Sequence, residues 1–410
     1  MRESFRLEHT HKDIAIIGGG ASGFACALTL ARLCAEADKQ VEITIFEQSE
    51  RCLKSVLRSG NGRCNISNAN VCKDDYYQPQ HLSEVFDIVD KEDVFAFLDY
   101  VGLMLSEEDG GRLYPLSNKA SVVVDCLRSK AEMLGVNVEN NARVDSFCTN
   151  CDSVFLKFAS DRDFRADYLL LSVGGGIFSF RDSLKDQLVD QEKLLCPIKC
   201  SFLRSNSLAN VRQKCLLSVF DSNRDSLFAE YGEVQFRDYG ISGIAAFNAS
   251  RFIEDGCSVC LDFLPQITLQ QLVDNLAKRN ALFLGASTFD LLQGIVPKQI
   301  LEYIFHCCAI SKIDHIDHKQ LFKIAALLKS FDLKDCLTNP AAGYQVSRGG
   351  ISLGAVSSST LELKCEPCVY VAGEALNVDG PCGGYNLHWA WASAICAAKS
   401  IFARIEGACE

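Results

Sequence analysis

Short apolar runs punctuated by glycine dominate the start of the chain. Ile14 to Ile17 is continuously apolar, the cluster Gly18-Gly19-Gly20-Ala21-Ser22-Gly23 follows, and Phe24 to Ala35 is rich in Ala and Leu. That order predicts a buried strand, a tight turn and a helix. Val41 to Phe46 then alternates β-branched with polar residues and stops at Glu47, so a βαβ unit opens the chain. Helical spacing over Ser121 to Leu134 precedes two stretches that read as hairpin strands, Val136 to Phe147 and Val154 to Phe158. Ala166 to Val173 is apolar throughout and halts at Gly174-Gly175-Gly176, the pattern of a strand rejoining a parallel sheet. Strand-like runs fill the stretch from about Cys196 to Leu264, and helical spacing fills Thr268 to Ser330. The chain closes with a strand over Cys368 to Ala372 and a long helix over Leu387 to Ile405.

The economical organisation is one α/β, Rossmann-like domain made from both chain ends, 1–195 and 340–410, around a middle insertion. The insertion divides into a β-rich subdomain, 196–265 with about 331–339, and a helical subdomain, 266–330. A hydrophobic fraction of 48% with 23% charged residues fits a folded globular protein of 410 residues. Net charge of −11 with no basic block argues against a nucleic-acid partner. With no apolar run of about eighteen residues and a polar N-terminus, neither a membrane span nor a signal peptide is expected, and the expected location is the cytoplasm.

The 21 cysteines are scattered through helices and strands, so they read as small buried apolar residues more than as a disulfide framework. Two Cys-x-x-Cys pairs, Cys148/Cys151 and Cys365/Cys368, stand too far apart for a compact zinc site, and no metal is expected.

Gly18, Gly20 and Gly23 have the G-x-G-x-x-G spacing between a strand and a helix. In that setting the first glycine permits the turn, the second lets backbone N–H groups approach a pyrophosphate, and the third lets helix and strand pack closely. Ala21 and Ser22, inside the same glycine cluster, join these glycines as candidate cofactor-binding residues. Glu47 ends the next strand, where a carboxylate can accept hydrogen bonds from an adenosine ribose. Two further blocks are too rich in Gly and Asn for regular structure: Ser59-Gly60-Asn61-Gly62-Arg63-Cys64-Asn65-Ile66-Ser67-Asn68, and Asp379-Gly380-Pro381-Cys382-Gly383-Gly384-Tyr385-Asn386, which follows Ala372-Gly373-Glu374.

With these blocks, and with Gly232-Glu233-Val234 and Gly240-Ile241-Ser242-Gly243 in the insertion, the chain resembles the HI0933-like, or aminoacetone-oxidase-like, flavoproteins over almost its whole length. That group includes a bile-acid-pathway reductase. The resemblance implies FAD bound across the α/β domain, with β-barrel-like and helical pieces inserted. It implies that Gly373 and Glu374 form a second FAD fingerprint. It also implies that Asp379, Gly383, Gly384, Tyr385 and Asn386 bring the last helix to the flavin pyrimidine edge. Gly62, Arg63, Cys64 and Asn65 would lie beside the same ring, and the last three are the catalytic candidates. For Cys64 a packed residue, and for Arg63 a structural ion pair, are the alternatives. The chain departs from the group at Arg237-Asp238-Tyr239, Asn377, Cys382 and Ile177 to Leu195, all of which bear on the substrate pocket.

The resulting expectation is an FAD-dependent oxidoreductase in which NADH or NADPH, visiting transiently, drives reduction of a small organic substrate. An oxygen-dependent oxidase of a small amine or aminoketone is the alternative within enzymes. A non-enzymatic flavin-based redox sensor or binding module is the alternative outside them. Substrate identity and oligomeric state stay open.

Overall fold

A computed structural model describes residues 11–150, 153–201, 207–282, 287–310 and 317–407. The chain divides into two compact units, residues 1–192 with 346–410 and residues 193–345.

The first unit is organised on a five-stranded parallel sheet. Its strands are β1 (His11–Ile17), β2 (Gln40–Phe46), β3 (Asn137–Glu139), β4 (Tyr168–Leu171) and β5 (Val369–Val371), in the spatial order β5-β4-β1-β2-β3. Ile14, Ala15, Ile16 and Ile17 of β1, and all four residues of β4, are buried, as strands covered on both faces must be. Helices α1 (Ala21–Glu36) and α3 (Tyr385–Glu406), both rich in alanine, pack against each other, while α2 (Ala120–Met133) packs against α1.

α1 begins at Ala21, inside the glycine cluster and three residues before the apolar run that announced it. The stretch Val136 to Phe147 is divided. Its first part is β3, paired with β2, and only Val144–Asn150 turns back into a hairpin with Ser153–Phe158. A run of alternating residues carries no mark of that change of sheet.

The second unit contains a closed six-stranded antiparallel barrel. Around the barrel the strands run Ile198–Ser201, Gly240–Ser242, Ser226–Arg237, Arg212–Phe220, Ser258–Asp262 and Phe331–Thr338, the last pairing again with the first. Helices Leu269–Leu282, Lys298–Cys308 and His318–Lys329 share one apolar core with it, which includes Phe236, Leu261, Leu276, Ile304, Ile324 and Phe331. Closure leaves no unpaired barrel edge.

Candidate cofactor and active site

Three strand ends of the first unit meet at the glycine turn after β1. Gly18 has φ +108°, and a Cβ there would lie 2.5 Å from the Ser172 carbonyl oxygen, just beyond β4. A Cβ on Gly23 would lie 2.1 Å from the carbonyl oxygen of Gly18. Packing within the protein therefore dictates both glycines. Ser172 secures the turn by donating from Oγ to the carbonyls of Ile17 and Gly18, both at 3.0 Å.

Gly20 is different, because among the described residues nothing lies within 4 Å of where its Cβ would be. The first helical bond of α1 runs from Phe24 N to Gly20 O at 3.1 Å, so the N–H groups of Ala21, Ser22 and Gly23 precede it at the positive end of a 16-residue helix. Open space beside such donors accepts a phosphate or pyrophosphate.

Glu47, half-buried at the end of β2, faces this turn. Its Oε2 accepts from Gly19 N at 2.9 Å and its Oε1 from Ser49 N at 2.8 Å, which fixes the carboxylate while leaving lone pairs for a ribose. A Cβ on Gly19 would meet Cys52 Sγ at 2.4 Å. Cys52 in turn lines a cavity of about 490 Å³ with Arg51, Arg128, Val136, Val138 and Asn140. The cradle at Gly20, the carboxylate and this adjoining cavity together match a phosphate, ribose and base in sequence, so the residues present fit the adenine-dinucleotide half of FAD.

The end of β5 joins them. A Cβ on Gly373 would stand 2.7 Å from Ser22 Oγ in the first turn of α1, and one on Gly174 would stand 4.0 Å from the Glu374 carboxylate. From α3, Ser393 Oγ accepts from Gly373 N (2.9 Å) and Trp389 Nε1 donates to Gly373 O (3.1 Å). Burial raises the Glu374 carboxyl above the usual carboxylate range, opposed by hydrogen bonding from Ser347.

The segment after β5 is stitched to the strand Val346–Ile351 by three side chains. Glu374 Oε1 accepts from Ser347 N (2.8 Å) and Asn377 Oδ1 from Gly349 N (2.8 Å). Asp379, fully buried, accepts from Arg348 Nε (2.6 Å) and Nη2 (3.4 Å), and that guanidinium lies 4.2 Å over the Tyr77 ring.

In the loop before α3, Asn386 accepts from Gly380 N (2.8 Å) and donates to the carbonyls of Gly380 (2.9 Å) and Pro381 (3.2 Å). Tyr76 donates to the Tyr385 carbonyl at 2.8 Å. Gly384 caps the helix with φ +100°, and a Cβ there would stand 2.1 Å from Ser67 O, so the approach that demands glycine is to Ser67. Gly383 meets only ordinary contacts, with Asn68 Nδ2 donating to its carbonyl at 2.9 Å. With its amide oriented to satisfy all partners, Asn65 accepts from Gly384 N (3.3 Å) and donates to Ser67 O (3.1 Å) and Leu113 O (3.2 Å). The block at 59–68 and the loop at 379–386 are therefore one assembly.

Within that assembly Arg63 pairs with Glu108, bonds Asn118 and stacks 4.1 Å over Tyr114, and its neighbour Gly62 is exposed. Cys64 is fully buried, and burial pushes its thiol up to about 11, opposed by a hydrogen bond from Ser59, so it is protonated at neutral pH.

Arg348, Ser172 and His388 belong to this region although the sequence patterns did not single them out. Arg348 carried a signal, a cation inside an otherwise apolar and glycine-rich strand. His388 is fully buried, with Nδ1 at 2.8 Å from Ser67 Oγ and Nε2 without a hydrogen-bond partner among the described residues, and burial with nearby Lys91 lowers its pKa to about 4. Of the Cys-x-x-Cys residues, Cys148 and Cys365 are exposed and Cys368 is half-buried, while Cys151 lies outside the described residues. Among the described residues, no helix is long and apolar enough to cross a membrane.

Fold and site together define an FAD-dependent oxidoreductase built on a Rossmann-type domain. More narrowly, residues 12–400 match the family described as the HI0933-like protein Rossmann domain, and the chain belongs to that family. It is 29% identical to a 3-dehydro-bile acid delta(4,6)-reductase of Clostridium scindens, over 95% of this chain and 99% of that protein. It is 24% identical to a ribosomal RNA dihydrouridine synthase of Haemophilus influenzae, over 95% and 98%. Among solved structures, an Escherichia coli quinol fumarate reductase subunit matches 98% of this chain and 71% of its own, at 12% identity and a TM-score of 0.44.

Proposed function

We propose that this chain reduces a carbon–carbon double bond conjugated to a carbonyl in a small organic substrate, with NADH or NADPH as the transient electron donor. The observation that carries this reading is the pair of full-length relatives. One is named for reduction at the delta(4,6) positions of a 3-dehydro bile acid and the other for making dihydrouridine. Both names describe adding two hydrogens across an alkene activated by a neighbouring carbonyl. Between the two substrate kinds, the net charge of −11 favours a small molecule, because an RNA substrate needs a cationic surface to offset its phosphates. A single glycine fingerprint leaves no second nucleotide domain, which supports a donor that visits and leaves.

Bound FAD supplies the two-electron hydride chemistry of such a reaction. In this reading the chain's own groups bind and orient it. The α1 N-terminus at Gly20, Ala21 and Ser22 holds the pyrophosphate, Glu47 the adenosine ribose, and Gly373 and Glu374 the ribityl end. The loop from Asp379 through Gly383 and Gly384 to Tyr385 and Asn386, fixed by its own hydrogen bonds and by Arg348, presents the α3 N-terminus as a rigid donor surface. Cys64, being protonated, packs and does not act as a thiolate.

Anaerobic mixing of the FAD-loaded protein with NADH or NADPH tests the reading. Bleaching of the flavin absorbance within seconds, reversed by a 3-oxo steroid enone and not by uridine-containing RNA, is the expected result. Bleaching by an amine or aminoketone alone, with both nicotinamides inert, would replace it with the oxidase reading.

A further inference from the structure

The barrel is closed by pairing its first strand, Ile198–Ser201, with its last, Phe331–Thr338. The register is interrupted there. Lys199 faces Leu337 and Ser201 faces Lys334, so Cys200 stands opposite two residues, Asp335 and Cys336. Asp335 takes φ +51°, the left-handed conformation that lets a bulge absorb an extra residue. Its effect is to turn Cys336 inward beside Cys200. Both cysteines lie in the apolar core of this unit with 6% exposure, and the Cys336 thiol donates to the Leu333 carbonyl at 3.5 Å.

We propose that Cys200 and Cys336 are an oxidative modification site, forming a reversible disulfide that clamps the barrel shut. Side chains projecting from neighbouring antiparallel strands into one interior meet the Cα and Cβ spacing a disulfide requires more readily than any pair whose strands must first move. The two thiols are not equivalent. Cys336 is held toward the thiolate by hydrogen bonds from Cys200 and from the backbone at Val259, against the opposing effect of burial, whereas Cys200 is pushed strongly upward.

With hydrogen peroxide as oxidant, the thiolate of one of the two cysteines attacks one peroxide oxygen, the O–O bond breaks, and a sulfenic acid and hydroxide result. The sulfur of the other cysteine then attacks that sulfenic sulfur and water leaves. In total two thiols lose two electrons and two protons, and one peroxide becomes two waters. A small disulfide such as oxidised glutathione reaches the same product by exchange.

The link joins the first and last strands of the unit, so it encloses a loop of about 140 residues, nearly the whole of that unit. Loop closure of this length removes more freedom from the unfolded chain than a short link does.

The test uses the full-length FAD-loaded protein, exposed to hydrogen peroxide or diamide, alkylated, digested without reduction and mapped by mass spectrometry. The expected results are a Cys200–Cys336 cross-linked peptide and a rise in Tm of about 5 °C or more, both reversed by dithiothreitol. The Tm rise should disappear in Cys200→Ala and in Cys336→Ala. Recovery of both cysteines as separately alkylated peptides after oxidation overturns the proposal, as does a cross-link from either to another cysteine. A cross-link that leaves Tm unchanged overturns the clamp. Because peptide mapping is done on the unsubstituted protein, the result does not depend on either variant folding.

Discussion

At Gly20 and Gly23 the same substitution, to alanine, meets opposite surroundings. Gly20 has an ordinary extended backbone and open space where a Cβ would go, so Gly20→Ala should fold normally and lose FAD affinity by about tenfold or more, because the methyl fills the pyrophosphate cradle. Gly23→Ala puts a carbon 2.1 Å from a backbone oxygen and should destabilise the fold itself, by about 1–3 kcal/mol or more. Thermal melts of the FAD-free proteins and fluorescence titration with FAD separate the two outcomes. Glu47→Ala removes the acceptor for Gly19 N and Ser49 N as well as for a ribose, and should weaken FAD binding by roughly ten- to a hundredfold. His388 adds a pH dependence. Its folded pKa of about 4 lies below the unfolded value of about 6.5, so the unfolded state takes up the proton first. Stability is fully present above pH ~6.5 and falls as pH drops toward 4, by up to about 3 kcal/mol. Urea denaturation across that range should show the slope, and His388→Gln should flatten it.

Among the elements, the strand Val346–Ile351 depends on a side-chain pair. Asp379 is fully buried and paired with Arg348, so Arg348→Met should cost about 3–5 kcal/mol by taking the guanidinium away from a buried carboxylate. Adding Asp379→Leu should restore much of that loss, and denaturant midpoints of the single and double variants decide it. The same pair shows what the sequence made legible. The glycine spacing, the apolar strands and the final helix are local patterns, and each was readable because its period or its turn chemistry is set by near neighbours. Arg348 finding Asp379, or Asn65 reaching Gly384, joins residues tens to hundreds of positions apart, and nothing local encodes such a partnership. The need for glycine at 384 was readable, but its cause was not. The obstacle is the Ser67 carbonyl, which arrives from the other end of the chain, so Gly384→Val is expected to damage the loop assembly before it tunes any flavin property. The division of Val136 to Phe147 between two sheets escaped for a similar reason, since alternation fixes which face a residue takes and not which strand it pairs with.

For the whole molecule, the net charge of −11 leads to an expectation that separates this chain from a nucleic-acid enzyme. Ribosomal RNA fragments at physiological salt, about 0.15 M, should show no saturable binding in a filter or mobility assay, and added RNA should not inhibit turnover. The five-stranded sheet has a different consequence, one of timing during synthesis. Its strand β4 lies between β1 and β5, and α1 packs on α3, yet β5 and α3 leave the ribosome about 350 residues after β1. At roughly 5–20 residues per second the nascent N-terminal βαβ unit waits roughly 20–70 s for the strand and helix that bury it. Over about the last 200 residues of that interval β4 presents an open apolar edge, and throughout it the cradle at Gly20 has no Gly373-Glu374 turn opposite it. The newborn chain should therefore benefit from a chaperone that shields a sheet edge, and cofactor capture is expected to follow translation of the last helix.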